Sequence, residues 1–336
     1  MTVDFDKIFQ DIAELKIAVI GDVMLDTYWW GSVDRISPEG PVPIVAVTKK
    51  EQRIGGAGNV ALNVRALGAQ VSVVSVTGND EEGRQLTNLL NDNKIDTRFI
   101  NFSEKRMTTN KIRIIGRNQQ MMRLDAERCD DLEQEEENSL INKLEEYVVS
   151  EKPHVIILQD YNKGVLTERV IANVIELCNK HNIISAADPK RKNFFSYKSV
   201  NIFKPNFKEV KEGLHILSDE VNEDILSQIH QELAEKLNHN ISLITLSEKG
   251  IFYQSEKESA IIPSHLRNIA DVSGAGDTVI AVASLLYAAT KNIHLTAEVA
   301  NIAGGIVCEQ VGTAAIDKQK LFEECKQLLA DVNDII

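Results

Sequence analysis

Short apolar runs alternate with amphipathic segments along most of the chain, and this alternation constrains the fold more than any other feature of the sequence. The apolar runs are nearly continuous, which is typical of strands covered on both faces. We predict such strands at residues 16–22, 71–78, 154–160, 183–189, 201–206 and 241–247. Helical patterns lie between them, as at residues 59–68, 83–93, 168–182 and 221–237. Strand followed by helix, repeated, predicts an α/β fold with a mostly parallel sheet.

Two segments interrupt this alternation. Residues 27–53 hold three of the seven prolines and both tryptophans, and residues 96–125 alternate between apolar and polar side chains like exposed strands. Neither segment has a helical pattern. We predict that together they form a small β-rich lid over the carboxyl ends of the parallel strands, which is where ligands bind in open sheets.

Composition excludes several classes of function. The chain has 336 residues and a formal net charge of −13, which argues against nucleic acid as a partner because phosphate backbones attract clustered Lys and Arg. The four cysteines are scattered without metal-ligand spacing, as expected in a reduced, cytoplasmic setting. The N-terminus has no apolar signal core and no run reaches about 18 apolar residues, so the sequence predicts no membrane span.

The stretch "DVSGAGDTV", residues 271–279, places small residues and a carboxylate at the start of an apolar helical run. Unpaired N–H groups at a helix start favour an anion, and small residues let that anion approach the backbone closely. Phosphoryl transfer needs N–H donors for the phosphoryl oxygens and a base for the attacking hydroxyl, a role that Asp277 fits. The alternative from this motif alone is that Asp277 only caps the helix.

Carboxylates and glycines follow the first predicted strand. Asp22 and Asp26 in "GDVMLD" suit vicinal sugar hydroxyls, because each carboxylate accepts two hydrogen bonds, although turn aspartates are common. In "RIGGAGN", Gly55 and Gly56 permit close approach of a ligand and Asn59 suits a ligand hydroxyl, with a plain helix start as the alternative. The chain contains neither GxGxxG nor GxxxxGK[ST], which disfavours a dinucleotide or P-loop site.

Three further motifs offer contacts for a nucleotide or a phosphorylated substrate. Asn206 and Glu209 in "KPNFKEV" suit hydrated Mg²⁺ beside phosphates, or else an ordinary helix N-terminus. "TLSEKG", residues 245–250, follows a strand with side chains suited to nucleotide phosphates. "KIRIIGRNQQMMRLD" carries four basic residues at odd positions, which on a regular strand share one face that either holds a phosphorylated substrate or is only solvated: Lys111, Arg113, Arg117 and Arg123.

These motifs, in this order, resemble the ribokinase-like (PfkB) carbohydrate kinases over essentially the whole chain. The resemblance is carried by "GDVMLD", "GGAGN", "NFKE" at residues 206–209, "TLSEKG" and "DVSGAGDT", of which the last is the most diagnostic. Within the family, "GDVMLDTYWWGSVDRISPEGPVPIV", "KIRIIGRNQQMMRLDAE", "QDYNKGVLT" and "ADPKRKNF" are similar to the D-glycero-D-manno-heptose 7-phosphate kinases. Asn162 in "DYNKG" departs from the small residue that is usual in that subfamily. The resemblance implies one ribokinase-like domain over residues 1–336, with three α/β/α layers, a mostly parallel central sheet and a lid.

The resemblance also implies roles for individual residues. Asp277 would be the catalytic base, and the anion hole would be formed by the amides of Gly274, Ala275 and Gly276. The sugar would be held by Asp26, Gly55, Gly56 and Asn59, and its anionic groups by Lys163, Lys190 and the lid arginines. On the nucleotide side the resemblance implies Mg²⁺ with ATP at Asn206 and Glu209, ATP contacts from Thr245, Ser247 and Gly250, and a monovalent-cation (K⁺) site that includes Asp271.

The implied reaction is the ATP-dependent phosphorylation of the anomeric hydroxyl of D-glycero-β-D-manno-heptose 7-phosphate. The product would be the 1,7-bisphosphate, a precursor of ADP-heptose for lipopolysaccharide core. Family lids form clasps between subunits, so a homodimer through the lid is expected. Many such kinases are fused to a nucleotidyltransferase domain with an HxGH motif, and since none of the seven histidines forms that pattern, we expect no such domain. Two alternatives stay open: a family kinase for another sugar such as ribose or fructose, and a binding scaffold without turnover.

Overall fold

Two β-sheets organise the part of the chain that the computed structural model describes, residues 3–117 and 119–329. The strands are Lys16–Gly21 (β1), Val23–Ile36 (β2), Pro43–Gly56 (β3), Gln70–Gly78 (β4), Ile100–Ser103 (β5), Asn110–Gly116 (β6), Gln119–Ala126 (β7), Val155–Gln159 (β8), Ile184–Asp188 (β9), Ile202–Phe203 (β10), Ile241–Thr245 (β11), Ile251–Gln254 (β12) and Ser259–Ile262 (β13). The helices are Phe5–Ala13 (α1), Ala57–Ala66 (α2), Glu81–Asp92 (α3), Gln134–Glu151 (α4), Glu168–His181 (α5), Phe207–Leu214 (α6), Glu223–Leu237 (α7), Ala275–Thr290 (α8), Ile293–Val307 (α9) and Lys318–Leu328 (α10).

The larger sheet has nine strands in the order β13, β12, β11, β10, β9, β8, β1, β4, β5. The pairings from β11 to β5 are parallel, and the hairpin of β12 and β13 adds an antiparallel edge. Successive residues of β1 face opposite layers. Ile17 and Val19 pack with α1, α2 and α8, whereas Ala18 and Ile20 pack with α4 and α5. The predicted three-layer α/β/α fold with a mostly parallel sheet is therefore confirmed.

All six predicted strands are present, as β1, β4, β8, β9, β10 and β11. The prediction that residues 96–125 belong wholly to the lid is wrong in its first part, because β5 pairs with β4 in the larger sheet. As an edge strand, β5 buries Ile100 and Ser103 but leaves Phe102 exposed. Such half-covered alternation is the same pattern that predicts an exposed lid strand.

The smaller sheet contains four strands in the order β3, β2, β6, β7. We call its two sides the inner and the outer face. Aligned residues on the inner face are Asp26, Lys111 and Asp125, followed by Tyr28, Arg113 and Arg123. Aligned residues on the outer face are Thr27, Ile112 and Leu124, followed by Trp29, Ile114 and Met122. The inner face meets the rest of the molecule, since Arg53 donates from it to the carbonyl of Val311 at 2.8 Å.

Among the helices of the described ranges, none combines the length and the apolar content that crossing a bilayer requires.

Candidate active site

The carboxylate of Asp277 is buried where α8 begins, at the carboxyl edge of the larger sheet. Asn59 Nδ2 donates to its Oδ2 at 2.7 Å, the Tyr161 hydroxyl donates to Oδ1 at 2.7 Å, and Gln159 Nε2 donates to Oδ1 at 3.2 Å. Burial raises the pKa of Asp277 to about 6, against the opposing effect of the bonds from Asn59 and Tyr161. Since α8 has no side-chain cap, Asp277 does not serve as its cap. At neutral pH this carboxylate is ionised and basic enough to accept a proton.

The backbone before Asp277 is shaped by glycine. Gly274 has a φ of 82°, and a Cβ there would also lie 2.9 Å from Asn59 Nδ2. The amide of Ala275 donates to the carbonyl of Val272 at 3.3 Å, so the predicted anion hole is not free at this position. Within the described residues, the amides of Gly274 and Gly276 have no acceptor. Two unpaired N–H groups at a helix start fit an anion beside the Asp277 carboxylate.

A buried ion pair lies next to these amides. Lys204 Nζ is 3.0 Å from Oδ2 of Asp188, and both side chains are almost completely buried. A Cβ on Gly276 would lie 3.7 Å from Lys204 Nζ, so the lysine borders the glycine turn. Burial acts to raise the pKa of Asp188, but the charges of Lys190 and Lys204 outweigh it and hold that pKa below its ordinary value. Asp188 stays ionised and fixes a cation beside the anion site.

Lys190 links this ion pair to the predicted nucleotide residues. Its Nζ lies 3.6 Å from Oδ1 of Asp188 and forms an ion pair with Glu209. Burial opposes the charge of Lys190, yet Asp188 and Glu209 raise its pKa above the ordinary value. The prediction grouped Lys190 with the lid arginines, whereas the structure groups it with Glu209, because Lys190 follows β9 and Glu209 follows the adjacent β10.

Asp22 has a different task from the one predicted. Its Oδ2 accepts the amides of Tyr161 and Lys163 at 2.8 and 3.0 Å, and its Oδ1 accepts the amide of Val165 at 3.0 Å. The side chain is buried and burial raises its pKa. Because three backbone amides donate to its carboxylate, Asp22 holds the loop after β8, a role that the sequence did not predict.

Asp26 lies near the start of β2, on the inner face of the small sheet, and its role in holding the sugar stays a prediction. It forms an ion pair with Arg113, whose guanidinium also lies 5.2 Å from the centroid of the Tyr28 ring. A Cβ on Gly55 would come within 2.4 Å of Asp26 Oδ2, so glycine is required for the carboxylate to fit. Gly56 has a φ of 59° and starts α2, the helix that carries Asn59.

Two of the lysines predicted to bind phosphate both contact one acidic residue, which the sequence analysis did not identify. Lys163 Nζ lies 2.7 Å from Oε1 of Glu127, and Lys111 Nζ lies 3.1 Å from its Oε2. Burial acts to raise the pKa of Glu127, but both lysines outweigh it and lower that pKa. The Glu127 carboxylate thus bridges two cations in the way a phosphate would.

The four basic residues predicted to share a strand face do so only in part. Lys111 and Arg113 lie on β6, and Arg123 lies on the same inner face but on β7, where it pairs with Asp125. Arg117 lies in the turn between these strands with a φ of 50° and donates to the carbonyl of Val33. Because the chain reverses direction at this turn, Arg117 does not lie on the inner face with the other three basic residues.

Asn206 and Glu209 form a capping box at the start of α6, which is the structural alternative noted above. Asn206 Oδ1 accepts the Glu209 amide at 2.8 Å, and Glu209 Oε2 accepts the Asn206 amide at 2.8 Å. A short parallel bridge aligns Asn206 with Thr245, so two of the predicted nucleotide motifs do lie side by side. Both Glu209 oxygens have protein partners, Lys190 on Oε1 and the Asn206 amide on Oε2.

The other predicted nucleotide and cation residues lie in loops. Ser247 has a φ of 56° in the turn after β11. Gly250 has a φ of 100°, and a Cβ there would lie 1.9 Å from the carbonyl of Ile262, so packing against β13 explains this glycine without a ligand. Asp271 accepts hydrogen bonds from Ser273 and from the amide of Gly312. Its assignment to a K⁺ site stays a prediction.

Sequence reasoning missed several residues that complete the site: Gln159, Tyr161, Asp188, Lys204 and Glu127. The first four end apolar strands or lie within two residues of their ends, and a polar side chain at a strand's carboxyl end is the signal that would have found them. Buried polar atoms without a partner among the described residues include Asn59 Oδ1 and Gln159 Oε1. Such atoms, next to the base, are suited to a polar ligand.

A buried carboxylate that can accept a proton, amides without an acceptor and two nearby lysines fit phosphoryl transfer to a hydroxyl. The class of protein that the fold and this site define is that of the ATP-dependent carbohydrate kinases. A family model described as "pfkB family carbohydrate kinase" matches residues 14–320. The chain belongs to that family, as the sequence motifs predicted.

Curated relatives make the comparison more specific. The chain is 40% identical over 308 residues to "Bifunctional protein HldE" of Aliarcobacter butzleri, covering 92% of this chain and 64% of the relative. It is 37% identical over 319 residues to the protein of the same name from Geobacter sulfurreducens, covering 94% and 64% of the two chains. The chain thus spans slightly less than two thirds of the length of these relatives.

Solved structures share the fold at low sequence identity. Phosphofructokinase-2 from Escherichia coli in complex with potassium superposes with a TM-score of 0.75 and 17% identity, covering 92% of this chain and 99% of that one. Ribokinase from Arabidopsis thaliana complexed with ribose and ATP gives a TM-score of 0.71 and 14% identity, covering 92% and 99%. These likenesses establish the ribokinase-like fold alone.

Proposed function

We propose that this carbohydrate kinase phosphorylates the anomeric hydroxyl of D-glycero-β-D-manno-heptose 7-phosphate to the 1,7-bisphosphate, in the supply of ADP-heptose for lipopolysaccharide core. The observation that carries the chemistry is the buried Asp277 carboxylate, held by Asn59 and Tyr161 beside free helix-start amides. Asp277 takes the hydroxyl proton, the sugar oxygen attacks the γ-phosphorus of ATP, and ADP leaves. General-base catalysis of this kind contributes roughly 10²- to 10⁴-fold to the rate.

Support for a substrate that already carries phosphate comes from the inner face. Lys111 and Lys163 converge on Glu127, and Arg113 lies on the same face beside Asp26. A sugar phosphate would compete with Glu127 for the two lysines, while Asp26 and Asn59 would hold the sugar hydroxyls. The identity with the HldE proteins and the "KIRIIGRNQQMMRLDAE" motif favour a heptose over ribose or fructose.

Mg²⁺ enters this proposal as part of the substrate MgATP. Among the described residues, no group of three or more His, Cys, Asp or Glu side chains is arranged to hold a metal ion. Glu209 and Asn206 suit a hydrated Mg²⁺, because each side chain already accepts the backbone amide of the other residue and Glu209 also pairs with Lys190. When bound, Mg²⁺ neutralises phosphate charge, and Lys204 and Lys190 add fixed positive charge from the protein.

The outer face of the small sheet supports a homodimer. It presents Trp29, Ile112 and Ile114, together with Met122 and Leu124, which are 55% and 43% exposed. A row of apolar side chains on a half-exposed sheet is stabilised when a second copy covers it. The symmetric pairing of two such faces would give a closed dimer.

The test is ADP release from MgATP across a panel of acceptors. The panel contains heptose 7-phosphate, sedoheptulose 7-phosphate, fructose 6-phosphate, ribose and fructose. We expect turnover with heptose 7-phosphate and at least about a hundred-fold lower kcat/KM for unphosphorylated sugars, since each charge-assisted bond contributes about 1.5–3 kcal/mol. A preference for ribose or fructose would overturn the assignment of heptose 7-phosphate as the substrate. No turnover with any sugar would favour a non-catalytic scaffold.

A further inference from the structure

Tyr161 makes a contact with the base that the reaction outlined above does not use. Its hydroxyl donates to Oδ1 of Asp277 at 2.7 Å, as short as the bond from Asn59 to Oδ2. Burial raises the pKa of Tyr161 well above its ordinary value, and the charge of Asp277 raises it further. The hydroxyl therefore remains a proton donor throughout the pH range in which the enzyme works.

Hydrogen bonds to the backbone hold the loop that carries Tyr161 on both sides of this residue. Asp22 accepts the amides of Tyr161 and Lys163. Asp160 Oδ1 accepts the Asn162 amide at 2.7 Å, and Asp160 Oδ2 accepts the Tyr197 hydroxyl at 2.8 Å. Two buried carboxylates thus hold the backbone on either side of Tyr161. The position of the Tyr161 side chain relative to Asp277 is therefore restricted.

The two oxygens of Asp277 differ in the number of donors they accept. Oδ1 accepts from Tyr161 and Gln159, whereas Oδ2 accepts only from Asn59 among the described residues. A carboxylate oxygen has about two lone-pair sites, so Oδ1 is saturated and Oδ2 keeps one site free.

We propose that Tyr161 is a positioning residue for the base: together with Gln159 it saturates Oδ1 of Asp277, so that Oδ2 accepts the proton of the sugar hydroxyl. The O–H bond of the acceptor breaks as its proton moves to Oδ2. Its oxygen bonds to the γ-phosphorus, and the bond from that phosphorus to the β–γ bridging oxygen breaks with release of ADP. This inference rests on the proposed function, because it takes Asp277 to be the base.

Removing the Tyr161 hydroxyl also removes a donor that favours the ionised base. Charged groups facing Asp277 are Asp188 on β9, Lys204 after β10 and Lys190 after β9, with the neutral donors Asn59 on α2 and Gln159 on β8. None of these changes in Tyr161→Phe. The pKa of Asp277 is therefore expected to rise by about one unit, the equivalent of one hydrogen bond to a charged group.

The experiment measures kcat/KM for heptose 7-phosphate from pH 5.5 to 8.5 and expresses each variant relative to the wild-type enzyme, so that the titration of ATP and of the sugar phosphate cancels. Tyr161→Phe should lose about five-fold at pH 6 and little at pH 8.5. Tyr253→Phe is the control, because its buried ring carries a hydroxyl that contacts Glu258 and His294 and neither Asp277 nor the loop after β8. Its relative rate should not depend on pH. Gln159→Met, which removes the second donor to Oδ1, should shift the profile in the same direction as Tyr161→Phe.

A loss in Tyr161→Phe that is equal at all pH values, or no loss, would overturn the positioning role. Asp277→Asn separates this outcome from failure of the proposed function. If Asp277→Asn has no turnover while Tyr161→Phe keeps the wild-type profile, only the inference fails. If Asp277→Asn stays active, the base itself is misassigned.

Discussion

At the scale of single residues, hydrogen-bond partners distinguish the buried carboxylate proposed as the base from one that holds a loop. Asp277 and Asp22 are both buried carboxylates with three hydrogen-bond donors. The donors of Asp22 are three backbone amides of the loop after β8. The donors of Asp277 are three side chains, which come from α2, β8 and the loop after β8. Sequence alone shows two similar aspartates, since the difference lies in partners that are distant along the chain.

The pH dependence of turnover follows from the state of Asp277. The base works only when ionised, and burial raises its pKa to about 6. We therefore expect kcat/KM to fall about ten-fold per unit as the pH drops below this value and to be flat from about pH 7 to 8. Initial rates from pH 5 to 8.5 measure this. A profile that stays flat to pH 5 would contradict the assignment.

The ion pair of Lys204 and Asp188 should matter for stability as well as for phosphate binding. Lys204→Met removes the 3.0 Å partner of a buried carboxylate, and we expect the free energy of unfolding to fall by about 3 kcal/mol. Lys192→Met is the control, because Lys192 and Asp131 are about half exposed, and there the loss should stay below about 1 kcal/mol. Urea unfolding measures both. Equal losses in the two variants would show that burial of the pair has no special effect.

At the scale of elements, the larger sheet is largely predictable from the sequence and its edges are not. Continuous apolar runs identify β1, β4, β8, β9 and β11 because both faces of these strands are covered. Edge strands lack that signal. β5 is short and half exposed, and β12 and β13 have four residues each. These strands form because they pair with a neighbouring strand, and their apolar content does not identify them. For this reason the sequence pattern predicts that the residues of β5 belong to the lid, although they belong to the larger sheet.

The loop after β8 provides a prediction at this scale. Asp22→Ala leaves the amides of Tyr161, Lys163 and Val165 without their acceptor. We expect these three amides to exchange with deuterium at least about ten-fold faster, because one lost bond of about 1.4 kcal/mol changes an opening equilibrium ten-fold. Hydrogen exchange followed by mass spectrometry reports on this segment. Unchanged protection there would mean that the loop holds its shape without Asp22.

At the scale of the whole molecule, the family resemblance predicted the three-layer fold and the covering small sheet, and the described structure contains both. It did not predict how charges pair across elements. Lys190 forms an ion pair with Glu209 because β9 and β10 are adjacent. Lys163 forms an ion pair with Glu127 because the end of the small sheet contacts the loop after β8. These contacts depend on the assembled fold and have no local pattern in the sequence.

The homodimer is a prediction at the scale of the whole molecule. Met122→Lys with Leu124→Lys places two charges on the outer face and should convert a dimer to a monomer at micromolar concentration. Leu217→Lys, at a site 96% exposed and outside the small sheet, should leave the dimer intact. Sedimentation velocity distinguishes the two states. A wild-type protein that sediments only as a monomer would rule out the interface.

The most direct test of the central claim follows the transferred phosphate itself. Wild-type protein and Asp277→Asn are incubated with MgATP and heptose 7-phosphate, and the products are identified by ³¹P NMR. We expect the wild type to form ADP and a second phosphate ester on the anomeric oxygen, and the variant to be slower by about 100-fold or more. Equal rates in the two proteins, or a product phosphorylated at another oxygen, would contradict the account.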